Sequence, residues 1–406
     1  FDWTGGYRMG MVGFIKSGAC SLLSWDEPGF RLRVARIPAI SSLLGTERVL
    51  AITLEMFSRA RSFRFSSLGS GDMVTIGKAL RSELIGRGWI DTWDQRIARN
   101  PDSEKLIGAS DIRIGTLYRF QNATYSQISV TNSHSFNETA SLAEHIRNDL
   151  EIDRFILVID GWIHRGYDNQ HPDILPTAPE CGGNPAFTTA MKRITSLPVV
   201  TLSLHDNYQD LYADAPSWNT SMIMKDASGN LMAGATWAGG QAWLACSQIG
   251  LKNSKRPQNI PGVRSLLPTQ CPSIIYFTDV TLATNLFTCR SQDHPLEPAD
   301  DRKFKMDLAD YSRSVMGFWG SEDGRDWGVP HCDFMEGVLG VSGKMMDSWI
   351  SSVLVGVPVP LWETIFHDSI AAFAKYSYNV NQAAEFVLCH VLMGRALFYG
   401  SFPWPN

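Results

Sequence analysis

Charge is scarce in this chain. Only 19% of its 406 residues are Asp, Glu, Lys or Arg, and the formal net charge of −5 leaves no basic surplus for a polyanion such as nucleic acid. Cysteine is sparse as well: the seven, at 20, 181, 246, 271, 289, 332 and 389, form no Cys-x-x-Cys or Cys/His spacing. That argues against a zinc finger or ribbon and against a disulfide scaffold. No apolar run is long enough to span a bilayer. A phosphate-cradling loop is missing: the nearest stretch, Gly69-Ser70-Gly71 to Gly77-Lys78-Ala79, is one residue too long and ends in Ala79 where a hydroxyl belongs. A strained Gly-x-Ser-x-Gly elbow is missing too, since Gly317-Phe318-Trp319-Gly320-Ser321 has the wrong spacing. Metal-dependent barrel hydrolases need His-x-His at the end of the first strand, and here that strand ends Tyr118-Arg119-Phe120. No metal and no cofactor is expected.

Aromatic residues, by contrast, reach 11%, with 13 Trp. Sparse charge with abundant Trp suits a protein that holds a flat, hydroxylated ligand against ring faces, although most of these rings must fill the core. Asn-x-Ser/Thr sequons at Asn122, Asn137 and Asn219 slightly favour a secreted or extracytoplasmic location. The chain starts at Phe1, so a mature form or a fragment, incomplete at either end, is expected.

Residues 1–75 read as β. Gly10–Ile15, Ala19–Trp25, Arg31–Ala35 and Leu50–Phe57 are short apolar or alternating runs, with turn chemistry at Asp26-Glu27-Pro28-Gly29. The expectation is a partial β-sandwich over 1–75, a linking helix within 76–104, and a (β/α)8-type TIM barrel over 105–406 with an insertion at about 208–270. Barrel strands are expected at Ile112–Tyr118, Arg154–Asp160, Val199–Leu204, Ser273–Asp279, Phe318–Ser321, Pro358–Phe366 and Leu397–Gly400, with no visible eighth. Helices are expected at Ser141–Leu150, where Ser141 and Glu144 have capping-box spacing, at Asn184–Leu197 and at about Pro298 to Met316.

Polar and aromatic residues recur after the second to sixth of these strands, on the face where such barrels build active sites. Asp279 and Glu322 each end a short hydrophobic run, one β/α step apart. Carboxylates at adjacent strand tips start about 5 Å apart, the separation that retaining glycosidases use. Two-carboxylate glycoside cleavage therefore fits best, with Asp279 and Glu322 as catalytic pair and an oligosaccharide or glycoconjugate as partner. Glu322 is expected to lie against Trp319 or Trp327. Candidates for holding the sugar are Asp160, Trp162, Arg165, Tyr167, Asp168 and His171 after the second strand, and His205 and Asp206 after the third. Trp319 and Trp327 flank the fifth, and His367 and Asp368 follow the sixth. Three alternatives stay open: a carbohydrate-binding barrel without catalysis, a polysaccharide lyase, and a glycosidase whose acid is Asp326 or Asp333.

Several blocks together resemble one family. Lys105-Leu106-Ile107-Gly108-Ala109, Gly166-Tyr167-Asp168-x-x-His171-Pro172, His205-Asp206-Asn207-Tyr208, Phe277-Thr278-Asp279 and Gly320-Ser321-Glu322-Asp323-Gly324 occur in the order and spacing of endo-α-N-acetylgalactosaminidase-like glycoside hydrolases, families 101 and 129 and their bacterial relatives. The resemblance covers about residues 105 to 370. It implies a barrel beside a β-sandwich, an Asp nucleophile at the end of the fourth strand and a Glu acid/base at the end of the fifth. Those positions are Asp279 and Glu322 here, and the activity implied is that of an α-N-acetylgalactosaminidase or related α-glycosidase.

Overall fold

The computed structural model describes residues 2–4, 8–26, 28–42, 45–56, 62–338, 359–373 and 398–399. The first 70 residues hold two antiparallel sheets. One contains Asp2–Thr4, Phe30–Ser42 and Gly45–Met56, the other Met11–Lys16, Ala19–Trp25 and Phe63–Ser70. Helix Met73–Gly86 follows, started by an Asp72/Thr75 capping box. Gly88, with φ of 73°, turns the chain before a second helix, Trp93–Arg99. The expected linking helix is thus two helices.

The rest of the chain is built on one parallel sheet. Its strands in chain order are β1 Ser110–Gly115, β2 Phe155–Asp160, β3 Val200–Asp206, β4 Ile274–Thr278, β5 Gly317–Glu322, β6 Phe334–Glu336, β7 Ala371–Phe373 and β8 Phe398–Tyr399. Their order across the sheet is β7-β6-β5-β4-β3-β2-β1-β8, and every neighbouring pair is parallel. Four strands separate β1 from β6, yet Arg113 on β1 and Glu336 on β6 form an ion pair. Contact at that separation requires a curled sheet.

Side-chain alternation along each strand divides the residues between two faces. On the concave face Ile156, Val158, Ile275, Phe277, Phe318, Phe334, Ala371 and Phe373 form one buried cluster. On the outer face Leu157, Ile159, Leu202, Leu204, Ile274 and Tyr276 pack with residues of helices Phe136–Asn148 and Gly183–Thr195. Helix Pro298–Met316, with Pro298 in its first turn, returns the chain from β4 to β5 and stops at Gly317, whose φ is 100°.

Several expectations shift. The first strand lies at Ser110–Gly115, and the chain then leaves the sheet for an antiparallel hairpin, Leu117–Gln121 with Gln127–Asn132. The helix expected at Ser141 starts at Phe136, because Ser135 and Glu138 form the same capping box six residues earlier. Residues 361–366 are a helix, not the sixth strand: Leu361, Trp362, Ile365 and Phe366 are apolar at helical spacing, and the last three are buried. The sixth strand is instead the short Phe334–Glu336. Within the insertion, Asp210–Tyr212, Ala233–Trp237 and Gly240–Leu244 form a small antiparallel sheet. No helix among the described residues is long and apolar enough to cross a membrane.

Candidate active site

The strand register carries the concave-face pattern up to the strand tips. Asp160 ends β2, and β2 pairs with β3 so that Ile159 faces Leu204; one step on, Asp160 lies level with His205. His205 pairs with Phe277 on β4, Thr278 with Ser321 on β5, and Glu322 with Glu336 on β6. Asp279 follows Thr278, and its N–H extends the ladder to the Asp206 carbonyl at 2.8 Å. Arg113, Asp160, His205, Asp279, Glu322 and Glu336 therefore share the parity of the concave cluster. Asp279 and Glu322 are half-buried, Asp160, His205 and Glu336 are buried, and the Arg113 side chain is only 5% exposed.

His205 Nε2 lies 3.6 Å from Asp279 Oδ2, an ion-pair distance. The imidazole stacks on Phe277 with ring centroids 5.5 Å apart, and Tyr167 covers it at 4.9 Å. Burial opposes the charged form of His205, but the hydrogen-bonding and charge of Asp279, with the charge of Asp160, outweigh it and push the pKa up to about 9. A cation thus sits beside the Asp279 carboxylate at neutral pH. Beneath it, Arg113 is 3.5 Å from Asp160, pairs with Glu336, and lies 5.1 Å from the Phe277 ring centroid.

A second acidic group flanks Asp279. Burial, joined by the Asp279 charge and opposed by His171, pushes the Asp168 carboxyl upward. Burial and the Asp168 charge push Asp210 well above the usual range, with Asp279 and Glu322 also contributing. Both carboxyls therefore hold a proton more readily than an exposed Asp does. Gly161, directly after Asp160, has φ of 73° and lies where a Cβ would come within 2.2 Å of the Leu117 carbonyl oxygen, so only glycine lets this loop turn there.

The structure brings only part of the expected sugar-binding set to this place. Tyr167, Asp168 and His205 adjoin Asp279. Asp160 is fully buried against Arg113, in the floor. Asp206 is one residue past His205 and so points to the outer face, where it accepts from Tyr276 and sits 3.3 Å from His171. His171, also 3.7 Å from Asp168, is fully buried between the two carboxylates. Arg165 lies near Arg119, on the hairpin after β1.

The three tryptophans are core residues. Trp162 donates to the His205 carbonyl at 2.7 Å and packs on Phe187. Trp319 has outer-face parity, donates to Thr278 Oγ1 at 2.9 Å and joins Trp327 in a cluster with Ile76, Leu80 and Trp362. Neither of these two is a platform within the concave face. His367 and Asp368 are at the opposite end of the sheet, because the segment read as a strand is a helix preceding β7. His367 lines a cavity of about 210 Å³ with Trp93 and Ile107, and Asp368 is clamped by Arg81 at 2.9 and 2.6 Å.

The alternative acids are engaged structurally. Asp326 accepts from the Gly10 and Trp327 N–H groups at 2.9 and 2.8 Å. Asp333 accepts from Arg96, Arg313 and the Trp319 N–H, at 2.9 to 3.0 Å. Arg96 is only 2% exposed, so Asp333→Ala would leave a buried guanidinium with only Asp91, at 3.8 Å, as counter-charge. A loss of about 3–5 kcal/mol is expected in a urea titration; a loss below about 1 kcal/mol would show that this cluster is not structural.

Arg113 and Glu336 were not legible as site residues. Arg113 does carry a signal, a charge between Ile112 and Ile114 where alternation demands the opposite face from those two. Glu336 ends a three-residue strand too short to register. Among the described residues no group of three or more His, Cys, Asp and Glu converges as a metal site.

No protein-family model and no curated protein matches the sequence. Solved structures do resemble it. The alpha-N-acetylgalactosaminidase NagBb from Bifidobacterium bifidum, in its GalNAc complex, is 20% identical with a TM-score of 0.77, over 90% of this chain and 58% of that one. A quadruple mutant of that enzyme gives 19%, 0.79, 97% and 64%. An alpha-galactosidase from Thermus thermophilus with stachyose gives 11%, 0.56, 96% and 76%. The chain spans about three-fifths of the length of the Bifidobacterium enzyme. At such identities the likeness is one of fold, and that fold is a glycosidase-like α/β architecture.

Proposed function

We propose that this chain carries the catalytic barrel of a retaining glycoside hydrolase acting on an α-linked N-acetylgalactosaminide or a related α-glycoside, with the parallel sheet closing as a (β/α)8 barrel. The observation that carries the reading is the register: two half-buried carboxylates follow paired residues of adjacent parallel strands, on the concave face, with a buried imidazolium at 3.6 Å from one of them. Strands lie about 4.8 Å apart, close to the separation of about 5–5.5 Å between the carboxyl groups of retaining enzymes. The similar solved structures named above support the substrate class.

In this mechanism the Asp279 carboxylate forms a bond to the anomeric carbon as the glycosidic C–O bond breaks. The bonding pair goes to the leaving oxygen, which takes the Glu322 proton. Water then attacks the same carbon, Glu322 receives its proton, and the Asp279 ester bond breaks. Asp168 and Asp210 hydrogen-bond sugar hydroxyls.

The test is stereochemical. A panel of aryl α- and β-glycosides, beginning with N-acetylgalactosaminides, is incubated with the protein and the first-formed sugar is followed by proton NMR. Retained configuration is expected; inversion overturns the reading.

His205 sets a pH dependence. With its pKa at about 9 in the folded chain, the imidazolium is present at neutral pH, and kcat should fall as pH rises through that value. His205→Asn should lower kcat by about 10²-fold and remove this limb. The sign for stability follows from the raised pKa: the contribution is complete below the unfolded value of about 6.5 and is lost as pH rises through about 9. Urea midpoints at pH 6 and pH 9.5 should differ in wild type and converge in the variant; equal midpoints in wild type would sink the assignment.

A further inference from the structure

We propose that Glu336, the inward-facing carboxylate on the strand after Glu322, is a positioning residue that acts on the His205–Asp279 pair through Arg113. The inference rests on the glycosidase reading above, and it extends the site to two strands that the catalytic pair does not use.

The geometry is a relay of contacts across the concave face. Glu336 pairs with Arg113, whose side chain is only 5% exposed. Arg113 reaches Asp160 at 3.5 Å and lies over Phe277 at 5.1 Å. Phe277 is the ring on which His205 stacks, and His205 reaches Asp279. A guanidinium has a rigid fork, so one Arg can hold two carboxylates and a ring in fixed relation. Burial opposes the charge on Arg113, but Asp160 and Glu336 more than offset it.

The charges facing His205 are those of Asp279, Asp160 and Asp168, with Arg113 and the Tyr167 hydroxyl completing the set. Arg113 is the one member of this set that disfavours the imidazolium. Glu336 neutralises Arg113 from the far side, and so limits its repulsion of His205. Below them, Asp111 is fully buried, and burial followed by the Glu336 charge pushes its carboxyl well above the usual range. Asp160 and Glu336 are the two largest counter-charges of Arg113, with Asp111 behind them. Glu336 thereby tunes the cation beside Asp279 without itself being the acid or the nucleophile.

The test uses the full chain and two readouts. The His205 midpoint is followed by NMR of ¹³C-labelled imidazoles, its signal assigned by loss in His205→Asn, and kcat and KM are measured against pH on an aryl glycoside. Glu336→Gln should lower the His205 midpoint by about one pH unit, within the range for loss of a nearby charge. The alkaline limb of kcat should move by the same amount, with KM unchanged. Arg113→Met/Glu336→Gln removes the pair together, avoids stranding a buried charge, and should move the midpoint the opposite way, because the repelling cation is gone. Glu336→Asp, which keeps the charge, should restore most of the wild-type limb. A raised KM with an unmoved midpoint would mean that Glu336 touches the sugar, and would overturn the proposal. So would a shift of the same sign in both charge-removing variants. A midpoint that moves while kcat keeps its limb would overturn the positioning role and count against Asp279 and His205 as the reacting pair. Inverted product stereochemistry with the expected midpoint shifts would overturn the retaining reading alone.

Discussion

Asp279→Asn is expected to abolish turnover, lowering kcat by about 10⁵-fold or more, as removal of a covalent nucleophile does. The substitution keeps the shape and removes the charge, and the side chain is only half-buried, so the melting temperature should stay within a few degrees of wild type. The His205 pKa should fall, because its hydrogen-bonding and charge interaction with Asp279 oppose burial most strongly. In wild type, a slow 2-fluoro glycoside should label the peptide that contains Asp279 and raise its mass by one glycosyl unit. In the Asn variant the label should be absent. Near-normal activity in the variant, or a label on another peptide, would remove Asp279 from the role of nucleophile.

What was legible in the sequence followed from strand burial. Phe155–Asp160 and Ile274–Thr278 are continuous apolar runs with buried residues throughout, and a run of that kind announces a parallel strand covered on both sides. The positions of Asp279 and Glu322 came from the ends of such runs. Side-chain parity was the information lost. Asp206 and Trp319 are next to concave-face residues in sequence, yet point to the outer layer, and a list of residues near a strand end does not distinguish the two faces. Length was the second obstacle. Phe334–Glu336 and Ala371–Phe373 are three residues each, too short for alternation to be counted, so the apolar run Pro358–Phe366 offers itself as the sixth strand although it contains helix Leu361–Phe366, which puts His367 and Asp368 at the other end of the sheet. The Arg113–Glu336 pair joins residues 223 apart in sequence, and only the curl of the sheet brings them together. Leu397–Gly400, expected as the seventh strand, holds Phe398–Tyr399, which is the eighth in chain order because the short Ala371–Phe373 precedes it.

Glu322→Gln separates protonation from attack. In the double displacement, the first step needs Glu322 as an acid only when the leaving oxygen is a poor leaving group. The loss in kcat/KM should therefore depend on the substrate, about 10³-fold or more for an alkyl or sugar leaving group and under about tenfold for a dinitrophenyl glycoside, in keeping with the usual range for general acid catalysis. The second step needs Glu322 as a base toward water, so with the activated substrate the glycosyl-enzyme should accumulate, giving a burst of phenol and a slow steady state. Azide needs no base. It should restore turnover of the Gln variant by attacking the anomeric carbon from the face that water uses, and the glycosyl azide should retain the configuration of the substrate. Asp210, whose carboxyl is affected by the Glu322 charge, gives a control. Asp210→Asn should weaken binding of every substrate to a similar degree, with no dependence on leaving group and no response to azide. A uniform loss in Glu322→Gln, or azide rescue in Asp210→Asn instead, would transfer the acid/base role away from the end of β5.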